Sequence, residues 1–229
     1  ALPICHDMDI LLWLSGQRCT RVSSFGSLHH FDAAHAPQDA PLRCTDGCPH
    51  SVVCPYDAGK IYLTDNVGWP TDMLTTDLSR EGRLKALREG PYGRCVYHCD
   101  NDVVDRQVVN LEFDNGAVAG FTMTAFTTDM ARQLKVCGTK GQITADMNAN
   151  TVSLHRFGES GPREITLETP PQTNNYGHGG GDYYLIRDFV RAVQSGGDGN
   201  LSSARVSLQS HLICFAAERS RVERRIVEL

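Results

Sequence analysis

The chain has 229 residues, 41% of them hydrophobic and 21% charged, with a formal net charge of −5. That composition supports one good-sized domain with a buried core, and it excludes a disordered polyanion and a basic nucleic-acid binder. Apolar stretches such as Ile10–Leu14 are far short of a bilayer span, so no membrane-crossing helix is expected.

In chain order, Asp7–Leu14 reads as a short buried helix, apolar on nearly all sides, that stops at Gly16. Trp13 is expected in the core. Cys19–Leu28 alternates as a strand does. From residue 32 to 92 the pattern dissolves into a Cys- and Pro-rich insertion in which only Arg83–Arg88 looks helical. An ordered irregular stretch of that length is usually functional. Val109, Leu111 and Phe113 then share one strand face, and Asp114-Asn115-Gly116 turns the chain into a strand with Ala119, Phe121, Met123 and Ala125 on one face. Leu134–Cys137 and Gln142–Ala145 flank Gly138–Gly141 as a second hairpin, and Thr151–Phe157 and Glu164–Leu167 add two strands.

Two helices follow. Asp182 is expected to cap the first, with a stripe of Leu185, Ile186, Phe189, Val190 and Val193. Ser202 or Ser203 is expected to cap the second, with Leu208, Leu212 and Phe215 at helical spacing, and Arg225–Leu229 reads as a final strand. The expected architecture is a single α+β domain over residues 1–229: a large, mainly antiparallel open sheet with helices on one face. The open face calls for a partner domain or subunit.

Four groups of residues could carry chemistry. His6 and Asp9, three apart, share a helix face, where an imidazole beside a carboxylate can exchange a proton near neutral pH; a plain helix cap is the alternative. Gly177–Asp182 opens onto a helix. It lacks the strand before it and the sixth-place glycine of a dinucleotide loop, so it reads as a hinge or a substrate-contacting loop around His178. Cys44, Cys48 and Cys54, with His50 between them, could collect zinc, with His35, Cys95, His98 or Cys99 completing a tetrahedron; free thiols or a disulfide are the alternatives. Tyr92–Asp105 gathers Arg94, Tyr97, His98, Asn101, Asp102 and Asp105, suited to hydroxyl recognition or to an ordinary turn. The cysteine count of nine is odd, and several lie in apolar runs, which points to reduced thiols and a cytoplasmic setting.

These residues taken together resemble the C-terminal domain of the glucose-fructose oxidoreductase/inositol dehydrogenase/MocA family. The resemblance rests on Cys5–Gly16, Ser23–Leu28, Gly90–Asp105, Gly138–Gly141 and Gly177–Asp182, and runs nearly end to end. It implies a glyceraldehyde-3-phosphate dehydrogenase-like C-terminal fold that binds a sugar or polyol and forms homo-oligomers through its open sheet. The NAD- or NADP-binding Rossmann domain, with its catalytic lysine, would precede Ala1, and this chain alone would be inactive. By the same resemblance His6 exchanges the substrate hydroxyl proton, Asp9 orients it, and Tyr97, His98 and His178 line the sugar pocket. One departure stands out: Leu2, Pro3 and Ile4 occupy places where relatives carry a polar Lys or Asp. Two other readings are an NAD-dependent glycoside hydrolase on the same fold and a non-enzymatic, metal-stapled assembly domain.

Overall fold

The computed structural model describes residues 4–128, 131–167, 178–197 and 203–229. It is α+β, and its sheets are antiparallel. Among the described residues eight strands form two four-stranded sheets, where the sequence suggests one large sheet. The chain divides into two compact units, 1–125 with 210–229, and 126–209.

In the first unit, helix α1 (Ile4–Ser15) leads to strand β1 (Cys19–Ser27). Gly16 ends the helix at φ 61, where its N–H reaches the Leu12 carbonyl at 2.9 Å. Two short helices, α2 (Ala58–Tyr62) and α3 (Arg80–Glu89), sit in the insertion. Strands β2 (Arg106–Phe113) and β3 (Val118–Thr124) are joined by the expected turn, with Gly116 at φ 82.

In the second unit, β4 (Gln133–Gly138), β5 (Gly141–Asp146), β6 (Thr151–Arg156) and β7 (Arg163–Thr166) pair in chain order, followed by α4 (Gly181–Gln194). Helix α5 (Ala204–Glu223) begins in this unit and ends in the first, where β8 (Val227–Glu228) closes the sheet order β3-β2-β1-β8.

The core of the first unit lies on one face of its sheet. Val22 of β1, Val109, Leu111 and Phe113 of β2, and Val227 of β8 meet Met8 of α1 and Ile213, Ala216 and Ala217 of α5. Strand alternation explains this: Val108 and Asn110 point the other way and are exposed. Ser220 of α5 ties the helix to the sheet edge, accepting the Ser24 N–H at 3.0 Å and donating to the Arg225 carbonyl at 2.6 Å.

Three expectations are corrected. Trp13 is 77% exposed, not core. On α5 the buried residues are Ser210, Ile213, Ala216, Ala217 and Ser220, whereas Leu208, Leu212 and Phe215 are exposed. Small side chains on the buried face let the helix sit close to the strands, and an apolar stripe of large residues would hold it off. On α4, Gly180 at φ 92 is the N-cap, and no side chain caps the helix. The Asp182 carboxylate instead accepts from His178 Nδ1 at 2.8 Å. The stripe Leu185, Ile186, Phe189, Val190 and Val193 is exposed. Ser203 Oγ does meet the Val206 N–H at 3.4 Å, as expected of a cap; Ser202 lies outside the described residues.

The insertion is held by cationic side chains that reach backbone carbonyls far along the chain. Arg43 donates to Leu87 and Gly90, Arg83 to Tyr62 and Thr64, and Lys60 to Val52 and Cys54. A loop without ladder partners must satisfy its polar backbone in some such way. Among the described residues no helix is long and apolar enough to cross a membrane.

Candidate active site

Helix α1 is divided by its own geometry. At about 100° per residue, Met8, Leu11, Leu12 and Ser15 fall on one side, and His6, Asp9, Ile10 and Trp13 on the other. Met8 is fully buried, and Leu11 and Leu12 pack against the core. His6, Asp9 and Trp13 are exposed. The core therefore anchors one side of the helix and presents an imidazole and a carboxylate, one turn apart, on the other. The helix also borders α5: burial pushes the Cys214 thiol up to about 11, and Cys5 and Asp7 beside it add to the shift.

A second cluster lies beyond the end of β1. Tyr97 is buried, and its hydroxyl lies 3.2 Å from His30 Nε2. Phe31 and Tyr56 pack edge-on with ring centroids 5.0 Å apart, and His30 sits 5.3 Å from Tyr97. Burial pushes the Tyr97 phenol up, with Cys54 and Tyr56 nearby contributing. The His29 and His35 rings meet at a tilt with centroids 5.3 Å apart, and His35 Nδ1 donates to Asp32 at 2.8 Å. His98 donates from Nε2 to the Ala40 carbonyl at 3.1 Å.

Asp105 holds this loop in place. One carboxylate oxygen accepts the His29 and His30 N–H groups at 2.8 and 2.7 Å. Burial alone would raise its pKa, but the N–H donors of His30, His29 and Phe31, with Arg106 nearby, outweigh that and hold the carboxyl below its usual range. His29, His30 and His35 carry no site signal in the sequence beyond three imidazoles within seven residues, because their partners Tyr97 and Asp105 lie 67 to 76 positions away.

His178 belongs to the second unit. Its side chain is exposed and paired with Asp182. Residues 168–177 before it lie outside the described residues.

The zinc expectation is not met. Among the described residues no group of three or more His, Cys, Asp or Glu side chains could hold a metal ion. Burial pushes the Cys44 and Cys95 thiols up, away from the thiolate that ligates metal. All nine cysteines are free thiols.

The glycine-rich entry to α4 does not fit a dinucleotide either: Asp182 places a carboxylate at the helix N-terminus where a pyrophosphate would sit.

A family model described as the oxidoreductase family's C-terminal alpha/beta domain matches residues 4–229. The fold and its displayed helix are thus those of an oxidoreductase C-terminal domain. The chain belongs to the family of glucose-fructose oxidoreductase, inositol dehydrogenase and MocA. The Bacillus subtilis (strain 168) protein YteT, named as an oxidoreductase, is 24% identical over 208 residues, covering 80% of this chain and 44% of YteT. An oxidoreductase domain protein from Kribbella flavida superposes with TM-score 0.58 at 18% identity, over 98% of this chain and 48% of that one. Levoglucosan dehydrogenase, solved with NADH and levoglucosan, superposes with TM-score 0.58 at 16% identity, again over 98% and 48%. The chain spans about half the length of these relatives.

Proposed function

We propose that the chain is the substrate-binding half of an NAD(P)-dependent oxidoreductase that acts on a hydroxyl of a sugar, polyol or derivative. The observation that carries the reading is the division of α1, which buries Met8 and leaves His6 and Asp9 together on the exposed side. His6 takes the proton of the substrate hydroxyl as general base and returns it in the reverse direction. Asp9 stabilises the protonated ring and orients it. A nicotinamide held outside this chain supplies the hydride acceptor, so the chain alone is inactive. Tyr97 and His98 shape the pocket wall through the 29–40 segment.

The outer face of the first sheet receives a second copy of the protein. There Phe25 and Val118 stand 73% and 78% exposed, beside a shallow groove of about 330 Å³ lined by Arg21, Ser23, Asn110 and Glu112.

The test uses the full-length gene product and a panel of aldoses and polyols, with NAD(P)H formation as readout. The His6→Asn variant should lose at least ~100-fold in kcat with KM little changed. Unchanged turnover in that variant removes His6 from the mechanism and the reading with it.

A further inference from the structure

We propose that Trp13 is the platform on which the ring of the substrate sugar stacks. The inference rests on the reading of α1 as the catalytic helix and adds the group that selects for a ring.

Trp13 is 77% exposed on a helix whose opposite side is fully buried at Met8. None of the ring contacts found among the described residues involves its indole. Packing of the helix therefore does not account for the largest side chain on it, and a lone indole in water forfeits the apolar area it could bury.

Its position is specific. Seven residues after His6, Trp13 lies within about 20° of it around the helix and about 10 Å along the axis, with Asp9 between the two. Side chains on a helix lean toward its N-terminus, so Trp13 shares the side of the helix, and the direction along it, that lead to Asp9 and His6. A pyranose has one apolar face of C–H groups and a rim of hydroxyls. Laid on the indole, it turns a hydroxyl edge toward the imidazole while its C–H face covers the aromatic ring. An acyclic polyol has hydroxyls for His6 but no rigid apolar face for Trp13. The platform thus favours ring substrates over open-chain ones without touching the proton transfer.

The experiment compares ring probes, levoglucosan and D-glucose, with acyclic probes, glycerol and sorbitol, on the full-length protein with oxidised cofactor present. Ring probes should change the tryptophan emission saturably in the wild-type protein, and Trp13→Leu should remove that change. Trp13→Ala should raise KM for a ring substrate about tenfold while leaving kcat, its pH profile and the KM for an acyclic substrate nearly unchanged; Trp13→Phe should recover part of the loss. An equal rise in KM for both substrate classes, or a rise in the KM for the cofactor, makes Trp13 a contact to another domain and overturns the proposal. So does an unchanged KM. If Trp13→Ala shows no ring preference while His6→Asn abolishes turnover, the platform fails and the catalytic reading stands. If His6→Asn keeps full turnover, the catalytic reading fails too.

Discussion

Replacing Asp105 with asparagine should loosen the loop that carries His29, His30 and Phe31. The carboxylate is buried and accepts two backbone N–H groups at 2.8 and 2.7 Å. Hydrogen bonds to a charged acceptor contribute about 1.5–3 kcal/mol each. Asparagine keeps one acceptor oxygen for those N–H groups but puts an NH2 where the second carboxylate oxygen now lies. That oxygen has no hydrogen-bond partner, and Arg106 stands 3.6 Å from it, so the new donor faces a cation in a buried place. The lost charge and the stranded donor together should cost about 3 kcal/mol. Urea denaturation measures the loss, and hydrogen exchange at the His29 and His30 amides localises it, because their protection should collapse before that of β2. The folded-state pKa is depressed, so the wild-type advantage is present in full above the ordinary carboxylate range and shrinks as pH falls through the folded value. A difference under about 0.5 kcal/mol at neutral pH, or one that grows on acidification, would refute the assignment of Asp105 as the anchor.

Three further outcomes test other parts of the structure. Ile213→Ala, at a nearly fully buried position of α5, should cost about 3 kcal/mol in urea denaturation, whereas Phe215→Ala two residues on, 66% exposed, should stay within about 0.5 kcal/mol; a reversed order would mean that the helix buries its other side. Gly93→Ala should destabilise the first unit by several degrees in Tm, because an added methyl would collide with the Leu87 carbonyl, itself fixed by Arg43; a Tm equal to wild type would show that the 87–93 turn gives way easily. Asp182→Asn should change stability by no more than about 0.5 kcal/mol, because its pair with His178 is exposed to solvent; a larger loss would mean that the pair organises the entry to α4.

Why some features were legible in the sequence and others were not comes down to periodicity and distance. On β2 the alternation of Val109, Leu111 and Phe113 with Val108, Asn110 and Glu112 matches the burial, and Asn115-Gly116 turns where the chain must adopt a positive φ. Periods of two leave only one face to bury. Helix α5 offers no such choice: Val206, Leu208, Leu212, Ile213 and Phe215 spread apolar groups around it, and the side that wins is the one whose alanines and serines allow close approach to β1 and β2. Helix α1 poses the same ambiguity over Ile10–Leu14, where five apolar residues follow one another and the size of Trp13 does not decide which of them the core takes.

The insertion fails for a different reason. Its stability comes from Arg43, Arg83 and Lys60 donating to carbonyls 6 to 47 residues away, and no local pattern encodes such pairs. The same non-locality hid the His30–Tyr97 pair, while His6 and Asp9 could be read directly because one helical turn joins them. A site built on one helix leaves its signature in the spacing. A site assembled from the segment after β1, the insertion and the segment before β2 is recognised only once the backbone has brought residues 30, 56 and 97 together.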